Sequence, residues 1–166
     1  MLKSFRIGGI HPPENKLSAG KNIQTAALPK QAVILLGQHI GAPAQAVVNK
    51  GDSVKVGTLL AKAGGFVSAN IHSSVSGTVA KIDQITDTSG YKRPAIFIDV
   101  EGDEWEESID RSKALKKECT LSDKEIIQRI KDCGIVGLGG ATFPTQVKLS
   151  PPPGMKAKQL FFSGNK

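Results

Sequence analysis

Two stretches decide the fold: Lys50-Gly51-Asp52-Ser53-Val54-Lys55-Val56-Gly57-Thr58-Leu59-Leu60 and Ser74-Val75-Ser76-Gly77-Thr78-Val79-Ala80-Lys81-Ile82. In each, a glycine turn sits against β-branched and aliphatic residues, the composition of short strands joined by tight turns. Outward from them the same pattern recurs over 33–36, 46–48, 58–61 and 95–100. Gly51-Asp52, Gly64-Gly65, Ser76-Gly77 and Ser89-Gly90 supply the turns. The last segment alternates, with Ile96, Ile98 and Val100 on one face and Ala95, Phe97 and Asp99 on the other. Short strands at this spacing predict an all-β sandwich or barrel over 33–100.

On either side the character changes. Residues 1–32 lack periodicity and are punctuated by Gly8-Gly9, His11-Pro12-Pro13 and Ser18-Ala19-Gly20. Prolines keep their predecessors extended, so this part is expected to be an arm packed along the domain. Residues 101–120 run from the acidic Glu101-Gly102-Asp103-Glu104-Trp105-Glu106-Glu107 into a basic stretch, as a charged linker would. Trp105 is placed to anchor that linker on a domain. Residues 121–134 predict a helix. Ser122-Asp123-Lys124-Glu125 forms a capping box, and Leu121 with Ile126 can form a hydrophobic staple. Ile126, Ile130 and Cys133 share one face, which gives Cys133 a core-packing role, and Gly134 is the expected stop.

Ile135-Val136 then leads into Gly137-Leu138-Gly139-Gly140-Ala141-Thr142-Phe143-Pro144-Thr145, with Lys148 just beyond. Three glycines within four residues let a backbone approach a ligand and aim its N–H groups at one point, and a nearby Lys can meet a phosphate. The spacing is not the full dinucleotide fingerprint G-x-G-x-x-G. A tight structural turn would use the same glycines, so both readings stand. Pro151-Pro152-Pro153-Gly154 follows as a rigid extended bridge, and 159–162 reads as a buried strand. A helix, loop and strand of ~45 residues bury little core. Residues 121–166 are therefore expected to be the truncated start of an α/β domain.

Composition narrows the function classes. The 166 residues are 39% hydrophobic and 22% charged, which suits a packed core rather than disorder. No apolar run approaches the ~20 residues that cross a bilayer, and the first residues lack the apolar region of a secretory signal. Cys119 and Cys133 are too few for a disulfide framework or a metal site. His11 and His39 lie in loop-like sequence without the spaced partners a zinc site needs. The net charge of +7 is uneven: residues 1–100 carry eleven Lys/Arg against five Asp/Glu, 101–132 seven against ten, and 133–166 four against none. The basic residues of the first block stand singly, with no basic run and no interleaved aromatics, which argues against a nucleic-acid partner. An acidic partner or anionic headgroups remain open.

The two opening stretches together resemble the halves of the biotinyl/lipoyl-type barrel-sandwich hybrid. In that family the first half carries GD-x-V-x-x-G-x-x-L and the second S-G-x-V. An active carrier has a modified lysine in the hairpin between them. Here that hairpin reads Ala63-Gly64-Gly65-Phe66-Val67-Ser68-Ala69-Asn70-Ile71-His72, without a lysine. The fold is therefore expected and the swinging-arm function is not.

Longer motifs resemble the C subunit of the Rnf ion-translocating electron-transport complex. They are Gly8-Gly9-Ile10-His11-Pro12-Pro13-Glu14-Asn15-Lys16, Gly37-Gln38-His39-Ile40-Gly41-Ala42-Pro43-Ala44, Ile71-His72-Ser73-Ser74-Val75-Ser76-Gly77, and the stretch from Gly134 through the glycine loop. The loop is also similar to the flavin-binding loop of the NADH-oxidising subunit of respiratory complex I. The resemblance implies a peripheral subunit on the cytoplasmic face of a membrane complex, bound to other subunits and exchanging electrons with NAD(H) through FMN and two [4Fe–4S] clusters. It implies that Gly137, Gly139 and Gly140 cradle FMN, that Lys148 pairs with a phosphate, and that Phe143 faces the nicotinamide nucleotide. In that family an acidic flavin-site motif follows the strand that 159–162 resembles, whereas this chain reads Ser163-Gly164-Asn165-Lys166 there. The cluster-binding cysteine motifs, four ligands to a cluster, are absent.

Two readings of function follow. The chain is the N-terminal portion of an NADH-linked electron-transfer subunit with a partial FMN loop, inactive alone, or it is a docking module that binds no cofactor itself. In either, residues 1–100 should be the stable core and 134–166 the softer part. Hydrogen exchange should show the contrast, and equal protection in both would contradict it.

Overall fold

In the computed structural model of the chain, residues 3–4, 9–115 and 117–155 are described. The expected strand at 159–162 lies outside them. Strands β1 (Lys3–Ser4) and β2 (Ile10–His11) form a small antiparallel pair. The main body has two sheets. Strands β3 (Gln31–Leu35), β5 (Ser53–Val54), β8 (Ser76–Thr86) and β9 (Lys92–Gly102) form a four-stranded antiparallel sheet in the order β3-β9-β8-β5. Strands β4 (Gln45–Ala46), β6 (Leu59–Lys62) and β7 (Ile71–His72) form a three-stranded one in the order β4-β6-β7.

The two opening motifs meet in space. Ser53 and Val54 pair with Thr78 and Gly77. Beyond them Val79 accepts from the Gly51 N–H at 2.8 Å and donates to the Asp52 carbonyl at 2.9 Å. The Asp52 carboxylate in turn takes the Asn49 N–H at 2.7 Å, which fixes the turn. Gly77 explains its own place in the S-G motif. Its φ is +155°, and a Cβ there would lie 2.0 Å from the Asp99 carbonyl oxygen of β9. Only glycine allows β8 and β9 to approach so closely at this register shift.

Leu36, Val54, Leu60, Ala61, Ile71, Val75, Val79, Ile96 and Ile98 make one apolar core between the sheets. Ile96 and Ile98 lie in it, as the alternation of β9 predicts. The opposite face of β9 is covered too: Ala95 is fully buried and Phe97 nearly so, with the Lys81 ammonium 4.6 Å from the Phe97 ring. A cation seated on an aromatic face lets a surface lysine cover apolar area.

The acidic segment after β9 is joined to this body. Val56 donates to the Glu104 carbonyl at 2.8 Å and Glu106 donates back to Val56 at 3.0 Å. The Thr58 hydroxyl donates to the Glu106 carboxylate. The Ile109 side chain occupies the space above Gly57. Trp105 pairs with Val56 in an isolated parallel bridge, and the Arg111 guanidinium lies 4.6 Å from its ring. The stretch is joined to the β-domain through the backbone at Trp105 and through Thr58, Glu106 and Ile109, while the Trp105 ring itself stays partly exposed against Arg111.

The arm departs from expectation. Every residue from 12 to 30 is exposed, including Leu17, Ile23 and Leu28. Residues 12–30 do not pack along the domain, because their prolines and glycines provide no run of apolar side chains that matches a sheet face, and Gln31 and Ala32, expected to be in the arm, belong to β3. The region after residue 120 holds helix α1 (Asp123–Asp132) and the single turn α2 (Thr145–Lys148). Among the described residues it contains no strand beyond the isolated Val136–Pro144 bridge. Its α/β character is therefore an expectation that the described residues do not test.

Truncation should follow burial. Ile98→Ala, which empties a fully buried site, should cost about 2–5 kcal/mol in urea unfolding. Val33→Ala, on the half-exposed neighbouring strand, should cost less than about 1.5 kcal/mol.

Candidate functional site

Helix α1 starts where its sequence requires. Ser122 donates its N–H to Glu125 at 2.8 Å and its hydroxyl to the same carboxylate at 2.7 Å. These bonds hold the Glu125 carboxyl below its usual pKa range. None of the helix's residues is buried; Ile126 and Ile130 are half-covered, and Cys133 is exposed. The core-packing role expected of Cys133 is therefore wrong. The helical stripe is there, but the helix rides on the surface with little to pack against.

Gly134 ends α1 with φ +64°. It also does what no sequence signal announces. A Cβ there would lie 2.2 Å from the Asn70 carbonyl oxygen, so the helix end rests directly on the hairpin between β6 and β7. Asn70 Nδ2 donates to the Asp132 carbonyl at 3.3 Å. Further along, Gln146 Nε2 donates to the Ser68 carbonyl at 2.7 Å, and Gln146 is buried. The hairpin at whose tip a carrier domain presents its lysine is here, along residues 68–70, a seat for the helix end and loop base, while its tip at 64–66 stays exposed.

The glycine loop is closed at its base. Val136 and Pro144 form an antiparallel bridge. Gly137 donates to the Phe143 carbonyl at 2.9 Å, and Thr145 donates to the Ile135 carbonyl at 3.0 Å. At the tip Thr142 donates to Gly139 at 3.1 Å, with Thr142 itself at φ +43°. Neither Gly139 nor Gly140 has a positive φ, and a Cβ on either would meet nothing within 4 Å. The turn as folded therefore does not require glycine at 139 or 140. Lys148 curls back: its ammonium would lie 2.8 Å from a Cβ on Gly137 and is 5.9 Å from the Phe143 ring centre. Gly137, Phe143 and Lys148 thus converge, while Gly139 and Gly140 border open space. Among the described residues no carboxylate forms an ion pair with Lys148.

A cleft of about 180 Å³ opens along the seat rather than over the glycine tip, lined among others by His39, Asn70, His72, Gly134 and Val136. His39 is structural. Its Nε2 accepts from the Ala69 N–H at 3.1 Å, which assigns its proton to Nδ1, 3.2 Å from the Ile40 carbonyl. His72 is different, because burial lowers its pKa. Asn70, His72 and Gln146 were not legible as a group. Nothing in their spacing joins residues 68–72 to 132–146, and a buried Gln reads in sequence like any surface amide.

The class is then defined: a barrel-sandwich hybrid domain whose inter-half hairpin carries an appended helix and glycine loop. The family model described as the RnfC barrel sandwich hybrid domain matches residues 3–103, and the chain belongs to that family. It is 48% identical over 166 residues to the C subunit of the proton-translocating ferredoxin:NAD(+) oxidoreductase complex of Clostridium ljungdahlii, covering 99% of this chain and 35% of that protein. It is 38% identical to the C subunit of the Na(+)-translocating ferredoxin:NAD(+) oxidoreductase complex of Acetobacterium woodii, covering 95% and 35%. The C subunit of the ion-translocating oxidoreductase complex of Rhodobacter capsulatus is 42% identical over 154 residues, covering 90% and 29%. The chain spans about a third of the length of these relatives. No helix among the described residues is long and apolar enough to cross a membrane.

The His72 shift sets a pH dependence. The folded chain holds a proton at His72 less readily than the unfolded chain. Stability is therefore greatest above the ordinary histidine pKa of about 6.5, and it falls as pH drops through that value toward the lowered one. Between about pH 7.5 and about pH 5.5 the melting temperature should fall, and fall less in His72→Gln. Equal falls in both proteins would remove His72 from the acid response.

Proposed function

We propose that this chain is the N-terminal portion of a peripheral subunit of an ion-translocating ferredoxin:NAD oxidoreductase complex, held on the cytoplasmic face by other subunits. The reading is supported by the names and identities of the relatives, and by one observation on the loop. The Lys148 ammonium, with no ion pair among the described residues, is held against Gly137, while Gly139 and Gly140 face open space that their own turn does not need.

These residues fit FMN. Backbone N–H groups around Gly139 and Gly140 can approach a phosphate without a side chain in the way, and Lys148 supplies the charge. Phe143 offers an aromatic face to the nicotinamide nucleotide, with Lys148 sharing its neighbourhood. Bound FMN supplies the exchange between two-electron hydride chemistry and single-electron transfer. This chain's residues bind and orient the phosphate end. The [4Fe–4S] clusters do not fit here: each takes four cysteines, and the sequence has two, both exposed.

A second reading is favoured by the exposed arm and the half-covered apolar stripe of α1. On that reading the chain is a docking module whose loop becomes a cofactor site only inside a longer subunit. Titration of the 166-residue chain with FMN, read by flavin fluorescence, separates the two. Saturable micromolar binding is expected, lost in Gly139→Val and weakened about tenfold or more in Lys148→Ala, as removal of a charge-assisted contact of about 1.5–3 kcal/mol requires. Binding only by a chain extended through the whole flavin domain would leave the docking reading.

A further inference from the structure

We infer that Gln146 and Gly134 are positioning residues for the glycine loop, and that the β6–β7 hairpin is the template that sets the loop's geometry. The flavin role assigned to the loop rests on the reading above; the seating itself does not.

The hairpin is rigid on its inner side. Ala63 donates to Asn70 Oδ1 at 2.9 Å, Gly64 to Ser68 Oγ at 2.9 Å, and Ser68 Oγ to the Ala42 carbonyl at 2.8 Å. Ala69 is bound to His39. With the Ser68 hydroxyl, Asn70 Oδ1 and the Ala63, Gly64 and Ala69 N–H groups used inward, the hairpin presents the carbonyls of Ser68 and Asn70, and Asn70 Nδ2, to the helix and loop. Those two carbonyls meet Gln146 and Gly134.

The helix and loop, by contrast, have almost no interior of their own. Among described residues 122–150 only Pro144 and Gln146 are buried. Both sit at the base of the glycine loop, since Pro144 bridges Val136 and Thr145 donates to Ile135. Gly134 lies at the other end of the same base. The loop base is therefore held at two points: Gln146 Nε2 bonds the Ser68 carbonyl at one end, and at the other Asn70 Nδ2 bonds the Asp132 carbonyl while Gly134 packs against the Asn70 carbonyl. Gln146 uses only half its amide, for Oε1 has no partner in its buried site.

A segment with so small an interior opens locally unless it is seated. Amide exchange on the whole chain, followed by NMR, reads the seating without any ligand. In the wild type the Gly137 and Thr145 amides should be protected. Gln146→Glu replaces the donor with an acceptor facing Ser68, and Gly134→Ala drives a Cβ into Asn70. Each should speed exchange at Gly137 and Thr145 about tenfold or more, while Leu36 and Val79 in the barrel stay unchanged. Loop amides unaffected in both variants, or already unprotected in the wild type, would overturn the inference. FMN titration of the same proteins adds a readout that bears on positioning. Affinity should fall in both variants although Lys148 is intact, and unchanged affinity with freed loop amides would overturn the positioning role. If the wild type binds no FMN yet the exchange pattern holds, the flavin reading fails and the seating stands.

Discussion

Val79 is the residue at which the two half-motifs become one domain. Fully buried, it exchanges hydrogen bonds with Gly51 and Asp52 on one side and pairs with Ile98 on the other. Backbone groups so deep in a core have no water to fall back on, so their pairing is obligatory. This crossing fixes the register of β5 against β8 and closes the sandwich around Leu60, Ile71 and Ile96. Strands β6 and β7 follow from it, and with them the hairpin that joins them. The seat for the glycine loop is thus a consequence of how the barrel closes.

The fold departs from a carrier domain at that one hairpin. A carrier needs it exposed and free, with a lysine at the tip. Here the tip is Gly64-Gly65-Phe66, and the outward carbonyls of Ser68 and Asn70 are covered by Gln146 and Gly134. Missing lysine and occupied backbone have one explanation: the scaffold serves as a platform for an appended segment. The same platform explains why α1 can exist with no buried residue. Ten residues of helix with a half-covered apolar stripe are marginal alone. Contact at the C-terminal end, through Asp132 and Gly134, compensates.

Much of the barrel was legible because its signals are local. Gly51-Asp52 specifies a turn, and the alternation of β9 places Ile96 and Ile98 inward whatever surrounds them. Ser76-Gly77, expected to be a turn, instead opens strand β8, where its glycine permits the close approach to Asp99. The capping box at Ser122 and the stop at Gly134 are local in the same sense. Cys133 misled because helical spacing reports a stripe, not whether a partner covers it. The arm misled because prolines predict extension but not contact. Among the expected site residues, the glycines and Lys148 were legible from spacing and composition and Phe143 only from the family resemblance; Gly137, Phe143 and Lys148 converge in the structure. Gln146 and Asn70 were invisible, since their roles depend on pairings across 78 and 62 residues.

The central claim is that a barrel of carrier type presents a preformed, charge-equipped glycine loop. Amide chemical-shift mapping of the intact chain with added FMN tests it most directly. The account predicts shifts confined to residues 137–143 and to the neighbourhood of Lys148, with the hairpin tip at Gly65 and Phe66 silent. Shifts scattered over the single lysines of the barrel, or centred on the hairpin tip, would contradict it.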